Sequence, residues 1–165
     1  MELAVTMVVF AIASIIVAQI FLTVTRSTRQ VVGEVEAADT LELAVNRMTF
    51  ELRQASVVYA GSSASQLTFC LDANHDQYCD QAERIVYAAG VETLDGRTSV
   101  VLRRSTLAQP TATMVIARGL QSSSIFSYAS APPAAGPITL TLTASTGVTA
   151  TAARTIAVTI TPRNQ

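Results

Sequence analysis

The sequence predicts an α+β protein in which one long N-terminal helix packs against a mostly antiparallel β-sheet. Two observations support this fold class. Residues 3–24 form an unbroken apolar run that continues into a segment with helical periodicity. From residue 56 onwards the pattern changes to short β-branched and aromatic runs separated by turn-forming residues. The chain of 165 residues is long enough for one domain beyond the helix.

The first part of the predicted helix, residues 1–25, is apolar on every side. No charged residue occurs between Glu2 and Arg26. Residues 3–24 would be roughly 33 Å long as a helix, which is enough to cross the hydrocarbon core of a bilayer. We therefore predict a transmembrane segment here.

This segment has two alternative interpretations. A cleaved secretory signal needs a basic region in front and a small-residue cleavage site behind, whereas here the acidic Glu2 stands in front. A plain single-pass anchor would keep the positive charges of Arg26 and Arg29 inside, which places the following domain in the cytoplasm. A tether alone would also not need the helix to continue beyond the membrane.

The second part, residues 26–55, reads as an amphipathic continuation of the same helix. Apolar residues recur there every three or four positions, and Glu51 falls among the charged residues assigned to the other faces. No proline occurs before Pro110, so nothing forces a break. The apolar stripe consists of Val31, Val35, Ala38, Leu41, Val45, Met48, Leu52 and Ala55.

Residues 56–165 are predicted to form an extracytoplasmic β-rich domain. Apolar and polar residues alternate in residues 138–142 and 156–160, as expected for strands with one buried face. We expect the sheet to wrap against the helix stripe from Val35 to Ala55, because that buries both apolar surfaces. The proline-rich stretch 131–137 is predicted to be a loop. Eight strand-forming runs are present: 56–60, 66–71, 84–88, 98–104, 113–118, 125–130, 138–143 and 155–161.

The chain has two cysteines, Cys70 and Cys79, nine positions apart in a polar segment. They could form a disulfide or remain two unpaired thiols. Because the predicted membrane segment places the β-rich domain outside the cytoplasm, where disulfides persist, we expect a Cys70–Cys79 bridge.

Between and after these cysteines lies an acidic loop with the spacing of a calcium-binding loop. Side-chain oxygens fall at positions one, three, five, nine and twelve, and a main-chain carbonyl is available at position seven. Gln77 stands where such loops prefer glycine, and a solvated turn rich in Asp and Asn is the alternative. The predicted Ca²⁺ ligands are Asp72, Asn74, Asp76, the Tyr78 carbonyl, Asp80 and Glu83. A bound ion would stiffen the loop together with the disulfide.

The opening of the chain resembles the start of a mature type IV pilin or type II secretion pseudopilin, in which a glutamate precedes an uninterrupted apolar helix. Glu2 matches that glutamate. Weaker likenesses to minor pilins occur at residues 46–55, 67–69, 84–87, 115–120, 126–128 and 158–164.

The resemblance implies a pilin-like fold, other pilin or pseudopilin subunits and the inner membrane as partners, and processing by prepilin peptidase. It also implies that Glu2 pairs with the N-terminal amine of a neighbouring subunit during assembly. The alternative is an acid at the membrane interface without such a partner. Met1 stands directly before Glu2, so the family's basic leader and its glycine–phenylalanine cleavage site are missing. We expect that Met1 is not the natural start.

No residue pattern predicts an enzyme. His75 is the only histidine and lies in the acidic loop, and no phosphate loop, zinc-spaced cluster or dinucleotide turn occurs. Arg103 and Arg104, beside Arg97, could form a small basic patch, but the net charge of −1 makes nucleic acid an improbable partner.

The leading hypothesis is therefore a minor pilin or pseudopilin that assembles through its N-terminal helix into, or at the tip of, a cell-surface filament or a secretion pseudopilus. The alternative is a membrane-anchored β domain that acts as an adhesin or a calcium-dependent binding module. Assembly requires Glu2, whereas a tethered binder should tolerate its loss.

Overall fold

In a computed structural model, the described residues form one helix followed by eight strands. The structure describes residues 2–72, 74, 76, 78–94, 96–132, 136–145 and 153–162. Within the helix and strands it does not describe the side chains of residues 2–6, 8, 9, 11, 29, 30, 33, 34, 36, 37, 94, 97 and 145. Helix α1 runs from Glu2 to Arg53. It contains no proline, so no residue of the helix lacks the main-chain amide that donates to the carbonyl four residues earlier.

The eight strands form one antiparallel sheet. Their order is β1-β2-β3-β4-β5-β7-β6. β8 lies outside this order and pairs with β7 along the whole length of both strands. All pairings are antiparallel. The strands are β1 (Val57–Val58), β2 (Gln66–Cys70), β3 (Arg84–Leu94), β4 (Arg97–Thr106), β5 (Gln109–Leu120), β6 (Phe126–Tyr128), β7 (Ile138–Ser145) and β8 (Ala153–Ile160).

The core lies between α1 and the inner face of the sheet. Met48 and Leu52 of the helix are fully buried, as are Leu67, Phe69 and Tyr87 of the sheet. The rings of Phe69 and Tyr87 stack with their centroids 6.0 Å apart. The main chain of the helix lies closest to β5, β7 and β8.

The loop between β1 and β2 joins the two ends of the sheet. The main-chain amides of Ile125 and Phe126 both donate to the Ala64 carbonyl, at 2.8 and 2.9 Å. The Tyr128 hydroxyl donates to the carbonyls of Ser63 and Gln66, at 3.0 and 3.3 Å. These bonds hold β6 against β2, although the two strands are not neighbours in the sheet.

The predicted fold class is confirmed at this level: the protein is α+β with a mostly antiparallel sheet of eight strands. Each of the eight predicted runs contains or overlaps one strand. β3 extends well beyond its predicted run, because it pairs continuously with β4 as far as Leu94. Of the predicted proline-rich loop, residues 133–135 lie outside the described residues.

Two details of the predicted helix packing are wrong. Val31 and Val35 are 55% and 53% exposed. The buried stripe therefore begins only at Ala38, where the helix first meets the sheet. The periodicity predicts Glu51 on a face other than the apolar stripe, but its side chain is buried, with 8% exposed. The buried face is wider than the stripe because Ala44, seven residues before Glu51, also packs against the sheet.

Among the side chains that the structure describes, no helix carries a stretch long and apolar enough to cross a membrane. Several residues of the predicted transmembrane segment, including Glu2, fall outside those described side chains, so the segment stays a prediction.

Candidate functional site

The first candidate site is the surface of α1 before it reaches the sheet. The described side chains from Met7 to Val35 are exposed, except that of Thr25, which is half-buried. Large apolar side chains dominate this surface, and Phe10 and Phe21 are 76% and 70% exposed. Soluble monomers rarely expose a continuous apolar surface of this kind, so it marks a region that other apolar groups cover.

Polar side chains on this part of the helix bond back to their own helix. The hydroxyls of Ser14, Thr23, Thr25 and Thr28 donate to the carbonyl four residues earlier, at 2.8–2.9 Å. Because these hydroxyls are satisfied within the helix, they add little cost when the surface enters an apolar environment.

The exposed surface continues along α1 on the side away from the sheet. Leu43 and Phe50 are 72% and 64% exposed, and they stand seven residues apart, which is about two turns. Both lie opposite the buried stripe. The helix therefore carries large apolar residues on its outward side even where its inward side packs on the domain.

A polar network fixes the helix on the sheet. The Tyr87 hydroxyl donates to Glu51 Oε2 at 2.8 Å, and Arg104 Nε donates to the same oxygen at 3.1 Å. Arg47 Nε donates to Glu51 Oε1 at 3.3 Å, and its guanidinium also contacts Met114 Sδ at 3.3 Å. Burial, together with the nearby Glu51 charge, raises the pKa of Tyr87, so its hydroxyl remains a donor.

Sequence reasoning missed this network. Glu51, Tyr87 and Arg104 are far apart in the chain and become neighbours only through the pairing of β3 with β4, in which Tyr87 stands opposite Arg104. The one available signal was Ala44, which shares the side of the helix that carries Glu51.

Arg103 and Arg104 do not share a surface, as a basic patch for nucleic acid would require. Arg103 and Arg104 are adjacent in β4, so their side chains point to opposite faces of the sheet. Arg104 faces the helix and binds Glu51. On the outer face, Glu92 binds two arginines: Arg103 at 2.9 Å from its Oε1 and Arg118 at 3.5 Å from its Oε2. The side chain of Arg97 lies outside the described residues.

The second candidate site is the acidic loop that follows β2. The Cys70–Cys79 disulfide is present, with the sulfur atoms 2.05 Å apart, and confirms the predicted bridge. The main-chain amide of Leu71 donates to the Glu83 carbonyl at 2.9 Å. The disulfide and this bond close the loop at its base.

Three of the predicted calcium ligands come together in this loop. One carboxylate oxygen each from Asp72, Asp76 and Glu83 lies within 4.8 Å of the other two. That separation is compatible with a shared Ca²⁺, whose oxygen ligands lie about 2.3–2.6 Å from the ion. Cys70 and Cys79 also lie near Glu83, but as a disulfide they offer no thiolate.

The remaining predicted ligands are arranged differently. Asp80 is not part of the three-carboxylate group, although its main-chain amide donates to Glu83 Oε2 at 3.4 Å. Asn74 Oδ1 accepts from the Asp76 amide at 3.1 Å, and Asp76 Oδ1 accepts from the Tyr78 amide at 2.8 Å. These are turn-forming bonds of the kind that the alternative, a solvated Asp/Asn turn, also predicts. His75 and Gln77 lie outside the described residues.

Comparisons of this chain with family models, with curated proteins and with solved structures gave no match.

Proposed function

We propose that the protein is a structural subunit, a minor pilin or pseudopilin, that assembles through α1 into or at the tip of a type IV pilus-like filament or a secretion pseudopilus. The observation that carries the proposal is the exposed apolar length of α1 that precedes its contact with the sheet. In this arrangement the pilin-like β domain forms the outer surface, outside the cytoplasm.

A filament explains why this helix is both apolar on its exposed sides and longer than its domain. Lipid would cover residues 1–25 before assembly, and the helices of neighbouring subunits would cover them afterwards. Exposed Leu43 and Phe50 support this assignment, because a simple membrane tether needs no apolar residues on the outward side of the segment that packs on the domain.

Glu2 is proposed as the assembly residue, in keeping with the resemblance of the chain's opening to mature pilins. A carboxylate among apolar helices is costly unless a positive charge pairs with it, and a neighbouring N-terminal amine would supply that charge. Prepilin peptidase would generate this amine, and the other partners would be pilin or pseudopilin subunits.

Glu2→Ala tests the proposal in cells that make the protein. The amount of protein sheared from the cell surface should fall by about tenfold or more, because the variant leaves the neighbouring amine unpaired, and breaking a buried ion pair by removing one partner costs about 3–5 kcal/mol. Total cellular protein should stay unchanged. Glu42→Ala is the matched control for loss of one exposed acid on the same helix. If the Glu2→Ala variant is sheared at the wild-type level, Glu2 is not the assembly residue. If wild-type protein is never released by shearing, the protein is a tethered module and not a filament subunit.

The acidic loop supports a second proposal, that the β domain binds Ca²⁺ and thereby stiffens this loop. Three carboxylates held within 4.8 Å repel one another, and a divalent cation relieves that repulsion. Such a site would serve a filament subunit as well as the alternative function, a membrane-anchored adhesin or calcium-dependent binding module.

Calcium titration of the full-length chain in detergent tests the second proposal. Millimolar Ca²⁺ should raise the thermal midpoint, and Asp76→Ala should remove the increase, because it deletes one of the three carboxylates. Glu92→Ala, which removes a carboxylate outside the loop, should keep the increase relative to its own midpoint without calcium. Equal midpoints with Ca²⁺ and with a chelator would show that the loop is only a turn.

A further inference from the structure

Strand β8 forms an open edge of the sheet. It pairs with β7 along its whole length, whereas β5 and β6 pair with the other side of β7. Among the described residues, no strand lies on the free side of β8, and no main-chain hydrogen bond joins that side to another segment. An open edge presents unpaired amides and carbonyls with which another strand can pair.

The main-chain groups on the free side of β8 belong to three residues. The Thr141 amide of β7 donates to the Ile125 carbonyl, and the Thr143 carbonyl accepts from the amide that follows β5. Odd-numbered residues of β7 therefore point these groups away from β8. In an antiparallel pair, two opposite residues point these groups either at each other or both away. The β8 residues opposite the odd-numbered positions therefore offer free amides and carbonyls, and all three are exposed: Thr155, Ala157 and Thr159.

Nothing in the sequence of β8 blocks this edge. Natural sheets protect open edges with very short strands, prolines, charged side chains or bulges. β1 and β6 are two and three residues long, and β5, which meets β7 only at Leu120, contains Pro110. Residues 155–160 of β8 include neither a proline nor a charge. Among the described strands, β8 is therefore the edge best suited to pairing with another strand.

Helix α1 runs beside β8 and forms a groove with it. At the start of β8, Arg154 lines a shallow groove with Val35. Just after the end of β8, Thr161 lines a shallow groove with Phe50 and Arg53. The helix and the strand therefore run in the same direction, with exposed apolar side chains of the helix at both ends of the groove.

The helix leaves the inner face of β8 partly uncovered. Ile156 and Val158 are only half-buried, whereas Leu142 and Leu140, which stand opposite them in β7, are fully buried. A strand added beside β8 would place every second side chain over Ile156, Val158 and the neighbouring helix surface. That contact would remove apolar surface from water in addition to pairing the free main-chain groups.

We propose that β8 binds an extended segment of a different protein, which adds a strand to the sheet in the groove beside α1. Every second side chain of the segment is apolar, because these side chains cover Ile156, Val158 and Phe50. The segment carries an acid near the end of β8, because Arg53 is exposed there and belongs to no ion pair among the described residues. Such a charge pair fixes the register of the added strand.

A second copy of this chain does not fit the groove in the same way. Two β8 strands that paired antiparallel around Ala157 would set their two α1 helices in opposite directions, because each helix runs in the direction of its own β8. Helices that enter one membrane together point the same way. The choice of a different protein as the occupant therefore rests on the proposed function.

A synthetic peptide tests the edge on the full-length chain in detergent. The probe, Glu-Ile-Thr-Leu-Thr-Leu-Thr-Ala-Ser, is the β7 sequence preceded by a glutamate, which lies beside Arg53 when the peptide pairs antiparallel with β8. Saturating probe should slow hydrogen exchange of the Thr155, Ala157 and Thr159 amides by about tenfold or more, because these amides gain acceptors. A peptide of the same composition with its apolar residues consecutive should not slow them.

Substitutions identify the groups that bind the probe. Ala157→Pro removes the central free amide and no bond to β7, so it should weaken probe binding by about tenfold or more. Ala157→Thr is the matched control, which keeps the amide and should bind as wild type does. Arg53→Ala should weaken binding of the probe but not of a version with glutamine in place of glutamate.

Two results would overturn the inference: unchanged exchange of the three amides at about 1 mM probe, or equal affinity of Ala157→Pro and wild type. If Ala157→Pro does not fold, the exchange measurement on the wild-type chain decides alone. If wild-type chains form dimers in detergent that Ala157→Pro abolishes, the occupant is a second copy and the proposed partner is wrong.

The peptide measurement is separate from the test of the proposed function. If wild-type protein is sheared from cells as filaments but the probe does not protect the three amides, only the edge inference is wrong. If the probe binds β8 but wild-type protein is never released by shearing, the filament proposal is wrong and the edge remains a binding site.

Discussion

Replacing Glu51 tests how α1 is held on the sheet. Glu51 is the one acid among the described residues that is buried, and it accepts from Tyr87, Arg104 and Arg47. Glu51→Ala removes the shared acceptor and leaves the hydroxyl of the fully buried Tyr87 and the guanidinium of Arg104 without their partner. We expect this variant to be the most destabilising single polar substitution in the domain.

The magnitude follows from burial. Breaking a fully buried charge pair by removing one partner costs about 3–5 kcal/mol. Here the side chain of Arg104 is 20% exposed and that of Arg47 is 36% exposed, so water compensates part of the loss. We expect Glu51→Ala to lower the free energy of unfolding by about 2–4 kcal/mol, and Tyr87→Phe to lower it by about 1.5–3 kcal/mol through loss of a hydrogen bond to a charged acceptor.

Urea unfolding of the full-length chain in detergent, followed by circular dichroism, measures both values. Tyr78→Phe is the matched control for Tyr87→Phe, because Tyr78 is 77% exposed and loses a hydroxyl that is already in water. Its effect should stay within about 0.5 kcal/mol. Combining Tyr87→Phe with Glu51→Ala should cost less than the sum of the two, since both remove the same bond.

Two results would refute this reasoning. A cost below about 0.5 kcal/mol for Glu51→Ala would mean that the apolar stripe alone positions the helix. Additive effects of Tyr87→Phe and Glu51→Ala would mean that the 2.8 Å bond between them contributes nothing in solution.

Three further predictions concern the β domain. Gly119 has φ of 70°, so Gly119→Ala should destabilise by about 1–2 kcal/mol in urea unfolding, whereas Gly61→Ala, with open space at its Cβ and no positive φ, should not. Cys79→Ser together with Cys70→Ser should lower stability by about 2–3 kcal/mol, the value for a loop of this length, and an unchanged urea midpoint would contradict this. Burial raises the pKa of Tyr128 to about 12 from 10.0. The free energy of unfolding should therefore keep the full contribution of the protonated hydroxyl below pH 10 and fall as the pH rises from 10 to 12, and Tyr128→Phe should make this fall less steep in urea unfolding.

The sequence predicted the strands well because local pattern determines them. Alternating residues such as those of β7 and β8 bury one face whatever their neighbours are, and Gly61 and Gly96 mark where runs end. The disulfide was predicted for a different reason, because the β-rich domain was expected to lie outside the cytoplasm, where two cysteines nine positions apart can keep a bridge.

The parts that sequence reasoning missed all depend on pairing between distant segments. Nothing local to Glu51 distinguishes it from exposed Glu42, and only the β3–β4 register brings Tyr87 and Arg104 under it. The exposure of Val31 and Val35 likewise depends on where the sheet ends, which periodicity within the helix does not reveal. The loop spacing identified the acids of the candidate calcium site, but not which three would converge.

If α1 is part of a filament, the bonds to Glu51 would also resist mechanical load between the helix and the sheet. Pulling along a filament loads the junction between the helix core and the β domain. An apolar stripe resists separation from the sheet but resists sliding weakly, because neighbouring apolar residues substitute for one another along the axis. Directional bonds from β3 and β4 to one carboxylate oppose sliding and rotation, since a displacement of one turn breaks them all. Tyr87→Phe should therefore lower the force at which filaments break more than it lowers the amount of filament that assembles without load.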